Sequence, residues 1–226
     1  SLAKKWEIPA IKSNPTEGIP LMKEDNKRER YLSSEEAQIL YEELKQSDNK
    51  MLQYIIPLLL LTGARKREVL DARWEDFDFD RRSWRIHTTK LGHPRYVPLS
   101  DGAVALLHSM KRFDDCSWAF PNPKTFKPYV SIFCSWNSAR KAAGLKDVRI
   151  HDLRHSFASF LVNAGRSLYE VQHLLGHTQI KTTARYSHLS QDTLLDASNA
   201  VTRAVGHLFT PTLNSPPSAG LLPMAQ

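Results

Sequence analysis

One tract, Val148 to His188, constrains this chain more than any other, because local signals divide it into three short helices and it sets basic and polar side chains among apolar ones. It reads VRIHDLRHSFASFLVNAGRSLYEVQHLLGHTQIKTTARYSH. Phe157, Phe160, Leu161 and Val162 supply the apolar residues of a first helix, which Gly165 can close in the left-handed conformation. Ser167 and Glu170 form a capping box opening a second helix through Val171, Leu174 and Leu175, and Gly176 ends it. His177 therefore falls in a sharp turn. Thr178 is the expected N-cap of a third helix that carries Tyr186 about two turns in. On the first helix, His151 and Arg154 are spaced to share one face.

Upstream, Ser33 and Glu36 predict a capping box at the head of a helix over Tyr31 to Leu44, with Ala37, Leu40 and Leu44 as its apolar stripe. Met51 to Leu61 predicts a buried helix that Pro57 kinks or restarts. Thr62 and Gly63 break the chain before a short helix with Glu68, Val69 and Leu70, which holds Arg65 at a helix N-terminus. Between Phe77 and Leu99 the apolar period changes to two, through Phe77, Phe79, Trp84, Ile86, Thr88, Tyr96 and Val97. With turns at Asp80 to Ser83 and Leu91 to His93, this predicts a small three-stranded antiparallel sheet with Lys90 at the rim of its second hairpin. Helices are expected over Ser100 to Arg112, Val130 to Ala143 and Gln191 to Val205, with a Pro- and aromatic-rich loop from Cys116 to Tyr129. The expected class is α+β, mainly helical. Residues 31–206 form the expected main domain, 1–30 a linker with Trp6, Ile8 and Ile11 as its anchors, and 207–226 a flexible tail.

The formal charge of +7 favours a polyanionic partner. Cys116 and Cys134 make neither a disulfide framework nor a ligand cluster, which points to a reducing, cytoplasmic setting. No apolar run is long enough to span a bilayer, and no secretory signal is visible, so no membrane partner is expected. No P-loop, G-x-S-x-G or G-x-G-x-x-G occurs.

Four boxes in order carry a resemblance: TGAR with Glu68 (Thr62 to Glu68), TTKLGHPRYVPL (Thr88 to Leu99), HDLRH (His151 to His155), and LLGH followed by ARYSH (Leu174 to His177, Ala184 to His188). Together they resemble the tyrosine recombinases, or phage-type integrases, over roughly Tyr31 to Ala204. The resemblance implies the catalytic domain of a site-specific DNA recombinase of the DNA breaking-rejoining fold, nucleoid-associated and encoded by a bacterium, phage or mobile element. Integration or excision of such an element is the expected task. It also implies that a helical core-binding domain precedes the linker, double-stranded DNA as partner, and four protomers exchanging the helix over 191–205.

The chemistry suits those residues. A hydroxyl attacking a phosphodiester builds charge on the non-bridging oxygens, and planar guanidinium groups donate paired hydrogen bonds to such oxygens. Arg65 and Arg154 are the expected clamp; Arg67 competes with Arg65 on residue type alone, and the resemblance selects Arg65. Tyr186 is the expected nucleophile, its phenolate favoured by nearby positive charge, and its 3′-phosphotyrosyl product can be resealed without ATP, metal or other cofactor. Lys90 would protonate the departing 5′-oxygen. His151 would position the phosphate or accept a proton there, and His177 would donate to a non-bridging oxygen. Glu68 would brace the arginine side, while Lys66, Arg67 and Arg185 would lie along the DNA backbone. His155 reads as a core or phosphate-side hydrogen-bonding residue; with His151 it has zinc-pair spacing, but Arg154 between them and the missing third ligand argue against metal. A type IB topoisomerase and a binding-only protein that kept the fold are the alternatives. His151, where those topoisomerases usually carry Lys, and the Gly176-His177 turn favour a recombinase.

Overall fold

The computed structural model describes residues 5–6, 19–20, 30–87, 94–177 and 179–190. Helix α1 (Ser34–Gln46) starts with the expected reciprocal cap between Ser33 and Glu36, and Glu36 also receives the Arg30 guanidinium at 2.6 and 2.8 Å. Its Leu40 and Leu44 face α2 (Leu52–Thr62), the apolar spine of the molecule.

Pro57 does not restart α2, which runs through it as one helix. An interior proline costs about 3 kcal/mol. Leu52, Ile55, Ile56, Leu58 and Leu59 are all at most 2% exposed, and each fully buried aliphatic side chain contributes about 1.5–3 kcal/mol. Burial wins. Thr62 ends the helix by turning its hydroxyl onto the Leu58 carbonyl at 2.6 Å, and Gly63 leaves in the left-handed region at φ 60°.

Helix α3 (Lys66–Leu70) and a 3-10 turn (Trp74–Asp76) lead into the sheet, β1 (Phe77–Asp78), β2 (Ser83–Ile86) and β3 (Arg95–Pro98), antiparallel in that order. Phe77 pairs with Trp84, Trp84 with Val97, and Ile86 with Arg95. Phe77, Trp84, Ile86 and Val97 are buried, so the period-two pattern holds for them, whereas Tyr96, adjacent to Val97 and therefore on the opposite face, is exposed. The expected turn at Leu91 to His93, with Thr88 and Lys90, lies outside the described residues.

Two helices are shorter than expected. Helix α4 (Asp101–His108) begins on the Ser100 cap but stops before Arg112. The Ser109 hydroxyl bonds back to the Leu106 carbonyl at 2.8 Å, and the Arg112 guanidinium stacks on Trp74 at 4.2 Å. Helix α5 (Phe133–Ala142) begins three residues after Val130, because Ser131 caps the Phe133 amide at 3.1 Å while Val130 stands 93% exposed. Trp6, expected to anchor the linker, is 68% exposed, while Ile8 and Ile11 lie outside the described residues.

Helix α6 (Ile150–Asn163) ends in a Schellman turn: Gly165 has φ 78° and the Arg166 amide reaches back to the Leu161 carbonyl. Helix α7 (Leu168–Leu175) has the predicted Ser167–Glu170 capping box and stops at Gly176, φ 64°. After it the expected single helix is split into a short α8 (Ile180–Thr183) and a 3-10 segment (Ala184–Ser190) that carries Tyr186. The Thr178 cap lies outside the described residues, as do the helix over 191–205 and the tail. One large apolar cluster surrounds α2; a second joins Ala158, Val162, Val171, Leu175 and Tyr186.

Candidate active site

Arg154 is the hub. It sits one turn into α6, only 5% exposed, and donates to the carbonyls of Gly63 at 2.5 Å and Leu175 at 2.6 Å. It thereby ties the end of α2 to the end of α7. Asp152, the partner that a surface arginine would have taken, instead caps the Arg149 amide at 2.8 Å. Both bonds of Arg154 go to neutral carbonyls, and a guanidinium carries five donor hydrogens, so anion-binding capacity is left over. Burial, with the charges of Arg65 and Arg95, pulls its pKa down to about 10. A buried cation so depressed is a site short of negative charge.

The approach of these helices depends on Gly63. A Cβ there would stand 2.4 Å from Phe157 Cδ1 and 2.9 Å from Leu175 Cδ2. The glycine serves both its left-handed φ and the close packing that puts its carbonyl on Arg154.

Arg65 occupies the N-cap of α3 with its side chain 39% exposed. Glu68 holds it at two points, accepting from the Arg65 amide at 2.7 Å and from its guanidinium at 2.8 Å. The Glu68 oxygen that accepts from the Arg65 amide, Oε2, also takes Arg95 at 2.8 Å. Burial works to raise the Glu68 pKa, but the Arg95 charge and the bonds from both arginines outweigh it and hold the carboxyl below its ordinary value.

Arg95 is the residue that the sequence reading missed. It opens β3, is 14% exposed, donates to the Leu174 carbonyl at 3.1 Å, and lies so near Gly176 that a Cβ there would meet its Cδ at 2.9 Å. Its Nε is buried with no partner among the described residues. The signal was present: Arg95 is two before Val97 and opposite Ile86, so strand alternation assigns it to the buried face.

His177 leaves the Gly176 turn with its Nδ1 2.9 Å from the Thr183 hydroxyl. Burial and then the charges of Arg154, Arg65 and Arg185 lower its pKa to about 4, so the ring is neutral at pH 7. His151 stands at the head of α6, where partial desolvation and then the charge of Arg154 lower its pKa. Its ring meets His155 edge-on with centroids 4.9 Å apart.

Tyr186 is 5% exposed, its ring in the second apolar cluster and its hydroxyl 2.5 Å from His155 Nδ1. The expectation that positive charge favours its phenolate needs correcting for this state. Arg185 and Arg154 do act in that direction, but burial outweighs them and raises the phenol pKa.

The structure thus brings Arg65, Glu68, His151, Arg154, His177 and Tyr186 together, while Lys90 lies outside the described residues. Lys66 and Arg185 are exposed. Arg67 is engaged within the chain, forking onto Asp71 and donating to the Tyr129 carbonyl at 2.8 Å. Among the described residues no group of His, Cys, Asp and Glu is arranged to hold a metal, and no helix is long and apolar enough to cross a membrane.

The model of the phage integrase family matches residues 30–193. The chain belongs to that family. Of its members, the integrase of Salmonella phage P22 is 28% identical over 90% of this chain and 54% of its own length. A shufflon-specific DNA recombinase of Escherichia coli is 31% identical over 88% of this chain and 51% of its own. The chain therefore spans about half the length of these curated relatives. In fold it is similar to the catalytic domain of bacteriophage HP1 integrase, with a TM-score of 0.60 at 24% identity over 83% of this chain and 98% of that one. The α+β architecture is the family's: mainly helical with a three-stranded antiparallel sheet.

Proposed function

We propose that residues 31–206 are the catalytic domain of a site-specific DNA recombinase that cuts and rejoins strands through a 3′-phosphotyrosyl bond at Tyr186. One observation carries the reading: a buried arginine that, among the described residues, is bonded only to carbonyls, beside a second arginine, within the electrostatic reach of a docked tyrosine. A scissile phosphate supplies the missing negative charge. Arg65 and Arg154 hold its non-bridging oxygens, and losing one such donor costs on the order of 10²–10³ in rate. His177, neutral with Nδ1 on Thr183, adds a donor through its other nitrogen. Lys90 protonates the leaving 5′-oxygen, and His151 positions the phosphate. Lys66, Arg67 and Arg185 lie along the duplex backbone, with Arg67 exchanging its hold on Asp71 for phosphate. The relatives' names support integration or another site-specific exchange of DNA. Four protomers assemble on two sites, each lending residues 191–205 to a neighbour.

The test is covalent capture. The protein is incubated with a pool of nicked duplexes of randomised sequence, and DNA that stays attached in denaturant is recovered and sequenced. Wild type should trap a defined sequence, and Tyr186→Phe should bind that sequence without trapping it. Trapping by Tyr186→Phe, or no trapped duplex from wild type, contradicts the reading.

A further inference from the structure

We propose that His155 is the general base that takes the phenolic proton of Tyr186 as its oxygen attacks phosphorus, an inference that rests on the recombinase reading above. The geometry is direct. The Tyr186 hydroxyl lies 2.5 Å from His155 Nδ1, within the reach required of a base, and the two rings are tilted 53° with centroids 5.9 Å apart. The contact is held from both sides: His155 by helix α6, and the tyrosine ring by Ala158, Val162, Val171 and Leu175. His151, the other imidazole on this face, touches the edge of His155 rather than the hydroxyl.

In the step, the Tyr186 oxygen bonds to phosphorus and the bond from phosphorus to the 5′-oxygen breaks. The phenolic proton passes to His155 Nδ1, and the 5′-oxygen takes a proton from Lys90. Religation reverses each transfer, His155 returning its proton to the tyrosine. Nδ1 must carry a lone pair for this, so the reactive tautomer has its hydrogen on Nε2.

Charge around the ring times the step. His155 is faced by His151, Asp152 and Arg154 from its own helix, by Arg185 and Tyr186 from the 3-10 segment, and by His177 from the preceding turn. Burial, then the charges of His151 and Arg185, hold its free-state pKa at about 4. An arriving phosphodiester offsets those cations and raises the imidazole's basicity when it is needed. The phenolic oxygen also loses electron density as its bond to phosphorus forms, so proton transfer accompanies attack rather than preceding it.

The test uses the duplexes recovered by covalent capture, resynthesised with oxygen or with bridging sulfur at the 5′ leaving position. Sulfur leaves without an acid, so the sulfur duplex reports on attack alone. His155→Asn keeps a hydrogen-bond acceptor near the Nδ1 position but cannot take a proton. It should bind the duplex like wild type yet form the covalent complex on the order of 10²–10⁴ more slowly with both duplexes. A near-wild-type rate on the sulfur duplex overturns the proposal while leaving the recombinase reading intact. If no duplex is captured by wild type, both fall. A measurement on the wild-type fold guards against a variant that misfolds: nitrogen NMR of His155 at neutral pH should show an unprotonated Nδ1 whose shift moves in Tyr186→Phe, and a hydrogen on Nδ1 overturns the proposal.

Discussion

Arg95 and Glu68, 27 residues apart in sequence, meet at 2.8 Å and join the sheet to the arginine turn. Glu68 is 8% exposed and Arg95 14%, so water offers little replacement for either partner. Breaking one side of such a pair costs about 3–5 kcal/mol, mostly through the charge left behind. Glu68→Gln is therefore expected to lose stability of that order in urea unfolding at neutral pH. Its DNA cleavage should fall as well, because Arg65 loses its brace. Unchanged stability would show that the pair is solvated in solution.

Gly63→Ala tests the meeting point of α2, α6 and α7. A left-handed residue with a Cβ costs roughly 1–2 kcal/mol, and the clash with Phe157 adds to that. The displaced carbonyl is the one that holds Arg154. Expected outcomes are a lower melting temperature and covalent capture reduced more than binding. A variant as stable and active as wild type would contradict the packing described.

The pH dependence follows from the histidines. His155 and His177 have folded pKa values near 4, against about 6.5 in an unfolded chain. Between these values the unfolded state binds more protons than the folded one, so stability rises with pH across the window and falls as pH drops through it. Urea titrations at pH 7 and pH 5 should show the protein weaker at pH 5, and a short duplex should reduce that loss by supplying negative charge. Equal stability at the two pH values would place both rings in water.

Local signals in the sequence were reliable where the physics is local. The capping boxes at Ser33 and Ser167 and the stops at Gly63, Gly165 and Gly176 each depend on a few neighbouring residues. Strand alternation found the sheet for the same reason. What escaped depends on contacts across the chain. The apolar run around Pro57 predicts burial, but that burial carries the helix through the proline depends on the helices packed around α2. The tract around Tyr186 did not show that the ring would be buried, which reverses the direction of its pKa. Arg95 looked like one basic residue among many until Glu68 and Leu174 closed around it. His155 was legible as a hydrogen-bonding residue, but its partner 31 residues away was not.

In the proposed reaction Arg65, Arg154 and His177 surround the phosphorus that Tyr186 attacks. Digesting the trapped protein–DNA complex and mapping the attached nucleotide by mass spectrometry checks this arrangement. The expected product is a 3′-phosphate esterified to the peptide containing Tyr186, with the yield strongly reduced in Arg154→Lys. Attachment through any other residue, or an Arg154→Lys yield equal to wild type, would contradict it.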